Sequence, residues 1–196
     1  MTEKLRQRIS FFLETDKMKY VTRQTLVGDL SRGENDAEHS FSLALLAMIL
    51  SDYADKDVSI DRVIRMALVH DLIEIYAGDT YVYDEEAMLS KQSREDEAAR
   101  RLFGMLPEEQ GAEYEALWRE FDAAESADAR FAASLDRFQP LLMNYYTGGL
   151  SWMKHNVSVS QVRARMQLIS RGSRELYEEV ERMLSDGVSK GWLRDE

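Results

Sequence analysis

The sequence predicts an all-α fold, a single helical bundle of about six or seven helices. Three observations predict it. Proline occurs only at Pro107 and Pro140, so long stretches carry no helix breaker. Apolar residues recur at helical spacing, and no segment shows sustained strand alternation bounded by hairpin turns. A length of 196 residues with 44% apolar content suits one domain over 1–196, with a core at about 26–150 and a C-terminal helix, 158–184, packed on it.

Residues 3–14 start the chain as a helix. Residues 37–54 form an almost wholly apolar helix, expected at the centre of the fold. Ser59 caps a helix running to about Tyr76, with Asp61 in its first turn, and Gly78 ends it. Residues 84–105 are charged and amphipathic, anchored by Met88, Leu102 and Phe103. Pro107 opens the next helix, to about Ala124, with Glu108 and Glu109 at its positive end. Residues 126–147 carry Phe131, Leu135, Phe138, Leu142 and Tyr145, and a kink is expected where Pro140 cannot donate to the carbonyl of residue 136. Gly148-Gly149-Leu150-Ser151-Trp152 separates this helix from the last one, about Ser158 to Leu184. That loop brings Trp152, Lys154 and His155 close together, a composition suited to binding.

The net charge of −11 argues against a long nucleic-acid partner. Arg163, Arg165, Arg171 and Arg174 read as a solvated helix face, although two or three arginines suffice to hold one phosphate. Cysteine is absent, so any metal must be held by nitrogen and oxygen. The first residues are charged with no signal-peptide core behind them, and the longest apolar run, Leu43–Leu50, is far too short for a membrane span. A cytoplasmic protein is expected.

The chemistry concentrates in His39, the pair His70-Asp71, and Asp136. Two imidazoles and two carboxylates on separate helices can converge on one divalent ion, and this mixed set points to Mn, Co, Fe, Ni or Zn rather than Ca. His39 has Leu43 and Leu46 at helical spacing and so points inward. Asp71 lies between Leu68, Leu72 and Ile75, where an unpaired carboxylate is costly. A metal is the simplest compensation, with an arginine from elsewhere in the fold as competitor. Asp136 lies among Leu135, Phe138 and Leu141, with Arg137 as the competing partner. Glu74, one turn beyond His70, should share its face and could handle the proton of a water activated there; Asp79 could approach from the rim.

The segments Arg32-Gly33-Glu34-Asn35-Asp36-Ala37-Glu38-His39-Ser40, Leu68-Val69-His70-Asp71-Leu72-Ile73-Glu74 and Ala77-Gly78-Asp79-Thr80, together with Asp136, resemble the HD-domain superfamily of metal-dependent phosphohydrolases. More narrowly, they are similar to bacterial 5′-deoxynucleotidases and their eukaryotic HD-domain relatives. The resemblance implies that His39, His70, Asp71 and Asp136 hold the metal, that Glu74 works on the attacking water, and that Asp79 contacts or assists the substrate. It implies a phosphate-binding arginine near the first helix boundary, Arg23 first and Arg32 second. The nucleotidases carry a tryptophan shortly after that arginine; here the stretch is Arg23-Gln24-Thr25-Leu26, leaving Trp152 or Tyr20 to supply a ring. With three histidines in all, one metal is favoured over two.

These readings lead to hydrolysis of a (deoxy)nucleoside 5′-monophosphate, with Lys154 or His155 assisting Arg23 at the phosphate; the resemblance also implies a homodimer. The rival readings are an HD-fold module that binds a small molecule or protein without catalysis, and a purely structural bundle.

Overall fold

The structure is a computed structural model that describes residues 2–78 and 85–196, without the side chains of 85–91. Asp79 and the Met88 side chain, both named above, lie outside the described residues.

Helix α1 (Glu3–Thr15) is capped by the Thr2 hydroxyl, which accepts from the Leu5 N–H, and a 3₁₀ turn follows over Asp16–Tyr20. The chain then forms an antiparallel hairpin of β1 (Thr22–Leu26) and β2 (Gly33–Asn35), pairing Thr22 with Asn35 and Leu26 with Gly33. The sequence pattern does not predict this hairpin. Its strands are short and its register is irregular, so no run of period-two alternation can develop. Its tip is set locally: Asp29 Oδ1 accepts from the Ser31 N–H and hydroxyl, and Leu30 sits at φ 64°. Gly33 is needed for closeness, because a Cβ there would lie 2.6 Å from the carbonyl oxygen of Arg23.

Helix α2 (Asp36–Ile49) starts with a capping box between Asn35 and Glu38. Helix α3 (Ile60–Val69) ends earlier than its apolar pattern suggests. Residues 70–73 tighten into i→i+3 bonds, with Leu72 N–H to Val69 O at 3.1 Å and Glu74 N–H to Asp71 O at 3.0 Å, before α4 (Glu74–Ala77) stops at Gly78, φ 75°. The expected continuous helix to Tyr76 is therefore broken at the His-Asp pair. Helices α5 (Glu85–Phe103), α6 (Glu108–Ala123) and α7 (Ala127–Tyr146) follow as expected, with Pro140 accommodated inside α7. After Gly148 and Gly149, both at positive φ, come α8 (Leu150–Lys154) and α9 (Val159–Met166). A 3₁₀ turn over Gln167–Arg171 then splits the expected last helix, and α10 (Arg174–Ser189) completes the fold.

The centre belongs to α7, not α2. Phe131, Ala132 and Leu135 on α7 are fully buried, and α2, α3, α6 and α10 pack around it. Full burial of a side chain the size of Phe131 or Leu135 contributes about 1.5–3 kcal/mol relative to exposure. Helix α2 buries Leu43 and Ala47 but leaves Phe41 66%, Met48 60% and Ile49 63% exposed. Among the described residues no helix is long and apolar enough to cross a membrane.

Candidate metal centre

Each chemical side chain is placed by a helix end or a helix interior. The Asn35–Glu38 capping box fixes the first turn of α2 and with it His39. The tightened end of α3 presents His70 and Asp71. The buried face of α7 presents Asp136. All four are buried. His39 Nε2 lies 3.0 Å from Asp136 Oδ1 and 3.8 Å from Asp71 Oδ2; His70 Nε2 lies 3.0 Å from Asp71 Oδ2 and 3.7 Å from Asp136 Oδ1. Two ring nitrogens and two carboxylate oxygens thus surround one small space.

The donor set fits a divalent transition ion. Nitrogen and oxygen ligands about 2.0–2.2 Å from one ion lie roughly 3–3.5 Å from each other, close to the separations found. His70 Nε2 is buried and makes no hydrogen bond, a costly state for a ring nitrogen without a cation or proton to serve. The opposite nitrogens are anchored: His70 Nδ1 is 2.9 Å from the Ala67 carbonyl, and His39 Nδ1 is 3.1 Å from Gln139 Oε1. A carbonyl only accepts, so Nδ1 carries a hydrogen and Nε2 is the nitrogen that would meet an ion at the centre.

The electrostatics are those of a crowded anionic pocket. Burial works to lower the His70 pKa, but the Asp71 and Asp136 carboxylates outweigh it and push it up to about 10. His39 moves the same way: burial opposes its charge, and Asp136 and Glu34 prevail. Burial opposes the Asp71 charge as well, yet His70 and Arg23 hold it below the usual carboxylate range. Asp136 lies well below that range too, with burial overcome by Arg137 and the two imidazoles.

A second set of carboxylates adjoins the first. Asp36, Asp71 and Glu74 bring oxygens within 4.8 Å of one another, as His39, His70 and Asp136 do with their own ligand atoms. Arg23, from β1, enters this set: its Nη1 donates to Asp71 Oδ2 at 2.8 Å and to Asp36 Oδ1 at 3.2 Å. Asp36 is fully buried; burial first, then the Asp71 charge, raises its pKa to about 6 against the pull of Arg23. Glu74 stands beside Asp36 and Asp71, with its N–H bonded to the Asp71 carbonyl at 3.0 Å.

A cavity of about 840 Å³ opens onto this centre at Arg23 and Asp136. Its wall includes Thr25, Arg137, Asn144, Trp152, His155, Arg165 and Arg171. The other candidates lie elsewhere. Arg32 grips Glu38 through two nitrogens at 2.5 and 2.8 Å and does not line the cavity; Lys154 is exposed and does not line it either; Tyr20 is 78% exposed. Of the arginine group near the C-terminus, Arg163 and Arg174 pair with Glu181 and Glu178 on the surface, while Arg165 and Arg171 face the cavity. Sequence reasoning passed over Asp36, Glu34 and Gln139. Asp36 is three residues before His39 and Gln139 three after Asp136, so helical spacing alone put each beside a named ligand. Nothing in the local pattern marks Glu34.

The model of the HD-domain family matches residues 15–177. The chain is 33% identical over 138 residues to the human 5′-deoxynucleotidase HDDC2, covering 70% of this chain and 66% of that one. It thus spans just under two thirds of the length of that relative. Over 97% of this chain and 95% of the other, the structure matches a crystal structure described as a predicted metal-dependent phosphohydrolase from Magnetospirillum magnetotacticum, with 48% identity and a TM-score of 0.93. An HD-domain phosphohydrolase from Listeria innocua, 16% identical with a TM-score of 0.57, shares the fold over 93% of this chain and 86% of that one.

Proposed function

The chain belongs to the HD-domain family, and from that premise we propose that it is a metal-dependent phosphomonoesterase that hydrolyses deoxynucleoside 5′-monophosphates to nucleoside and inorganic phosphate. The observation that carries the reading is the meeting of His39 Nε2, His70 Nε2, Asp71 Oδ2 and Asp136 Oδ1 beside a cavity whose lining includes Asp136 and Arg23. The name of the human relative supplies the substrate class.

These four side chains would hold one Mn, Co, Fe, Ni or Zn ion. Bound there, the ion supplies Lewis acidity to a phosphoryl oxygen and lowers the pKa of water. Glu74, beside Asp71, takes the proton of the attacking water. Both hydrogen bonds of Arg23 among the described residues leave from Nη1, so Nη2 and Nε remain to donate to the phosphoryl oxygens as negative charge spreads over them. As the water oxygen bonds to phosphorus, the bond from phosphorus to the 5′ oxygen breaks, and the leaving oxygen takes up the proton that Glu74 removed. Trp152, buried in the cavity wall, gives the nucleoside a ring to pack against, and His155 lies where it can reach the phosphate or sugar.

The setting proposed is the cytoplasm. The proposed assembly is a homodimer, supported by the uncovered apolar stripe Phe41, Leu45, Met48 and Ile49 on α2.

The test is phosphate release from paired ribo- and deoxynucleoside 5′-monophosphates by protein loaded with Mn(II) or Co(II). Release is expected, and Glu74→Ala should keep the metal and lose at least about 100-fold in kcat. No release with metal bound leaves the non-catalytic binding module; full turnover in Glu74→Ala removes its role as base.

A further inference from the structure

Two buried residues beyond the expected ligands, Glu34 and Gln139, form a line of hydrogen bonds that ends on His39. Gln139, on α7, places Oε1 3.1 Å from His39 Nδ1 and donates from Nε2 to Glu34 Oε1 at 2.9 Å. Glu34 is 5% and Gln139 4% exposed, so neither owes its orientation to solvent. The order of the line is forced from its far end. A carboxylate oxygen accepts, so the amide nitrogen of Gln139 must face Glu34 and its oxygen must face the ring. An amide oxygen accepts in turn, so His39 must carry a hydrogen on Nδ1. Nε2, 3.0 Å from Asp136 Oδ1, is then the nitrogen that would give up its proton to meet an ion.

From this we propose that Glu34 and Gln139 are positioning residues of the metal centre: the Glu34 carboxylate sets the amide of Gln139, and the amide sets the tautomer and ring angle of His39. The proposal rests on His39 being a ligand. Its physical content is that an amide flip, or loss of the amide, lets the hydrogen occupy Nε2, where it competes with the ion. His70 has a simpler device, a backbone carbonyl from its own helix, that no side-chain substitution removes. His39 sits in the first turn of α2, where no residue 36 carbonyl is paired with its ring, and it uses side chains from β2 and α7 instead. The line also joins the hairpin to the central helix, which gives a reason for β2 to end beside α2.

The experiment measures the dissociation constants of Zn(II) and Mn(II) by chelator competition on wild type, Gln139→Leu and Glu34→Gln. Imidazole nitrogen spectra of the Zn(II)-loaded proteins accompany it; with three histidines in the chain these are simple to resolve. Wild type should bind, with His39 protonated at Nδ1. Gln139→Leu should bind about 10- to 100-fold more weakly, the usual effect of losing such a partner. Glu34→Gln, nearly the same size, should also weaken binding, because a second amide no longer dictates which way Gln139 faces. Both should lose the sharp, exchange-protected Nδ1–H signal of His39. Thermal melts of the metal-free proteins separate packing from positioning: a merely structural role lowers the midpoint but leaves affinity and ring-nitrogen shifts within twofold of wild type, and that result overturns the proposal. If Gln139→Leu does not fold, Glu34→Gln is judged by the same criteria. A wild type that binds neither ion removes the metal-centre reading, and this proposal with it.

Discussion

Arg23 holds two buried carboxylates with one nitrogen, which offsets part of the charge of so acidic a centre. A buried carboxylate left unpaired is costly, and Asp36 and Asp71 would be two of them. Helical spacing was enough to suggest that His39, Asp71 and Asp136 point inward, because each has apolar neighbours along its helix: Leu43 and Leu46 for His39, Leu68 and Ile75 for Asp71, Phe138 and Leu141 for Asp136. It could name an arginine as the competitor for Asp71 but not which one, because Arg23 arrives from a strand 48 residues away. Arg23→Met should therefore destabilise the metal-free protein by about 3–5 kcal/mol in urea unfolding, the typical cost of stripping one partner from a buried ion pair. Saturating Zn(II) should recover part of that loss, because an ion at the centre compensates Asp71 in place of the guanidinium. A loss equal with and without Zn(II) would mean that Arg23 and the ion do not answer to the same carboxylate.

Apolar periodicity predicted the existence of most helices and missed where two of them break. The stretches 59–76 and 158–184 both carry an uninterrupted apolar rhythm, yet each is divided by a segment bonded i→i+3. A 3₁₀ turn differs from an α turn by a fraction of a residue, too little for the rhythm to register over four or five positions. The breaks nonetheless lie at functional places: one is at the His70-Asp71 pair just before Glu74, the other holds Arg171 in the cavity wall. At the second break Gly172 packs so closely on α7 that a Cβ would lie 2.3 Å from Ser134 Oγ. Helix α2 shows the opposite error. Its composition suggested a helix buried all round, but only the His39, Leu43 and Ala47 side is covered. The uncovered stripe has the i, i+4, i+7 spacing that suits packing on an identical helix across a two-fold axis. Phe41→Glu with Met48→Glu should convert a dimer into a monomer in sedimentation velocity while leaving the far-UV circular dichroism unchanged. Wild-type protein sedimenting as a monomer at tens of micromolar would remove the dimer from the proposal.

At the scale of the whole molecule, the ion is expected to act as a fastener as well as a reagent. Its four proposed ligands come from α2, the end of α3 and the middle of α7, so binding ties together three elements that meet only in the folded chain. The unfolded chain separates those ligands by as many as 97 residues and offers no comparable site. Binding to the native state alone then adds about 2.7 kcal/mol when free metal is one hundred times its dissociation constant. For a chain of this size each kcal/mol moves the melting midpoint by about 2–4 °C, which gives a rise of about 5–10 °C on adding Mn(II), Co(II) or Zn(II) and an equal fall on chelation. Ca(II), which prefers an all-oxygen shell, should do much less. The His39→Ala protein separates this centre from adventitious binding at the acidic surface: the surface carboxylates that give the chain its net charge of −11 remain in that variant, so any rise that persists in it comes from them. A rise in wild type that vanishes in His39→Ala assigns the fastening to the buried centre, and an unmoved midpoint in wild type at saturating metal would dismantle the centre as read here.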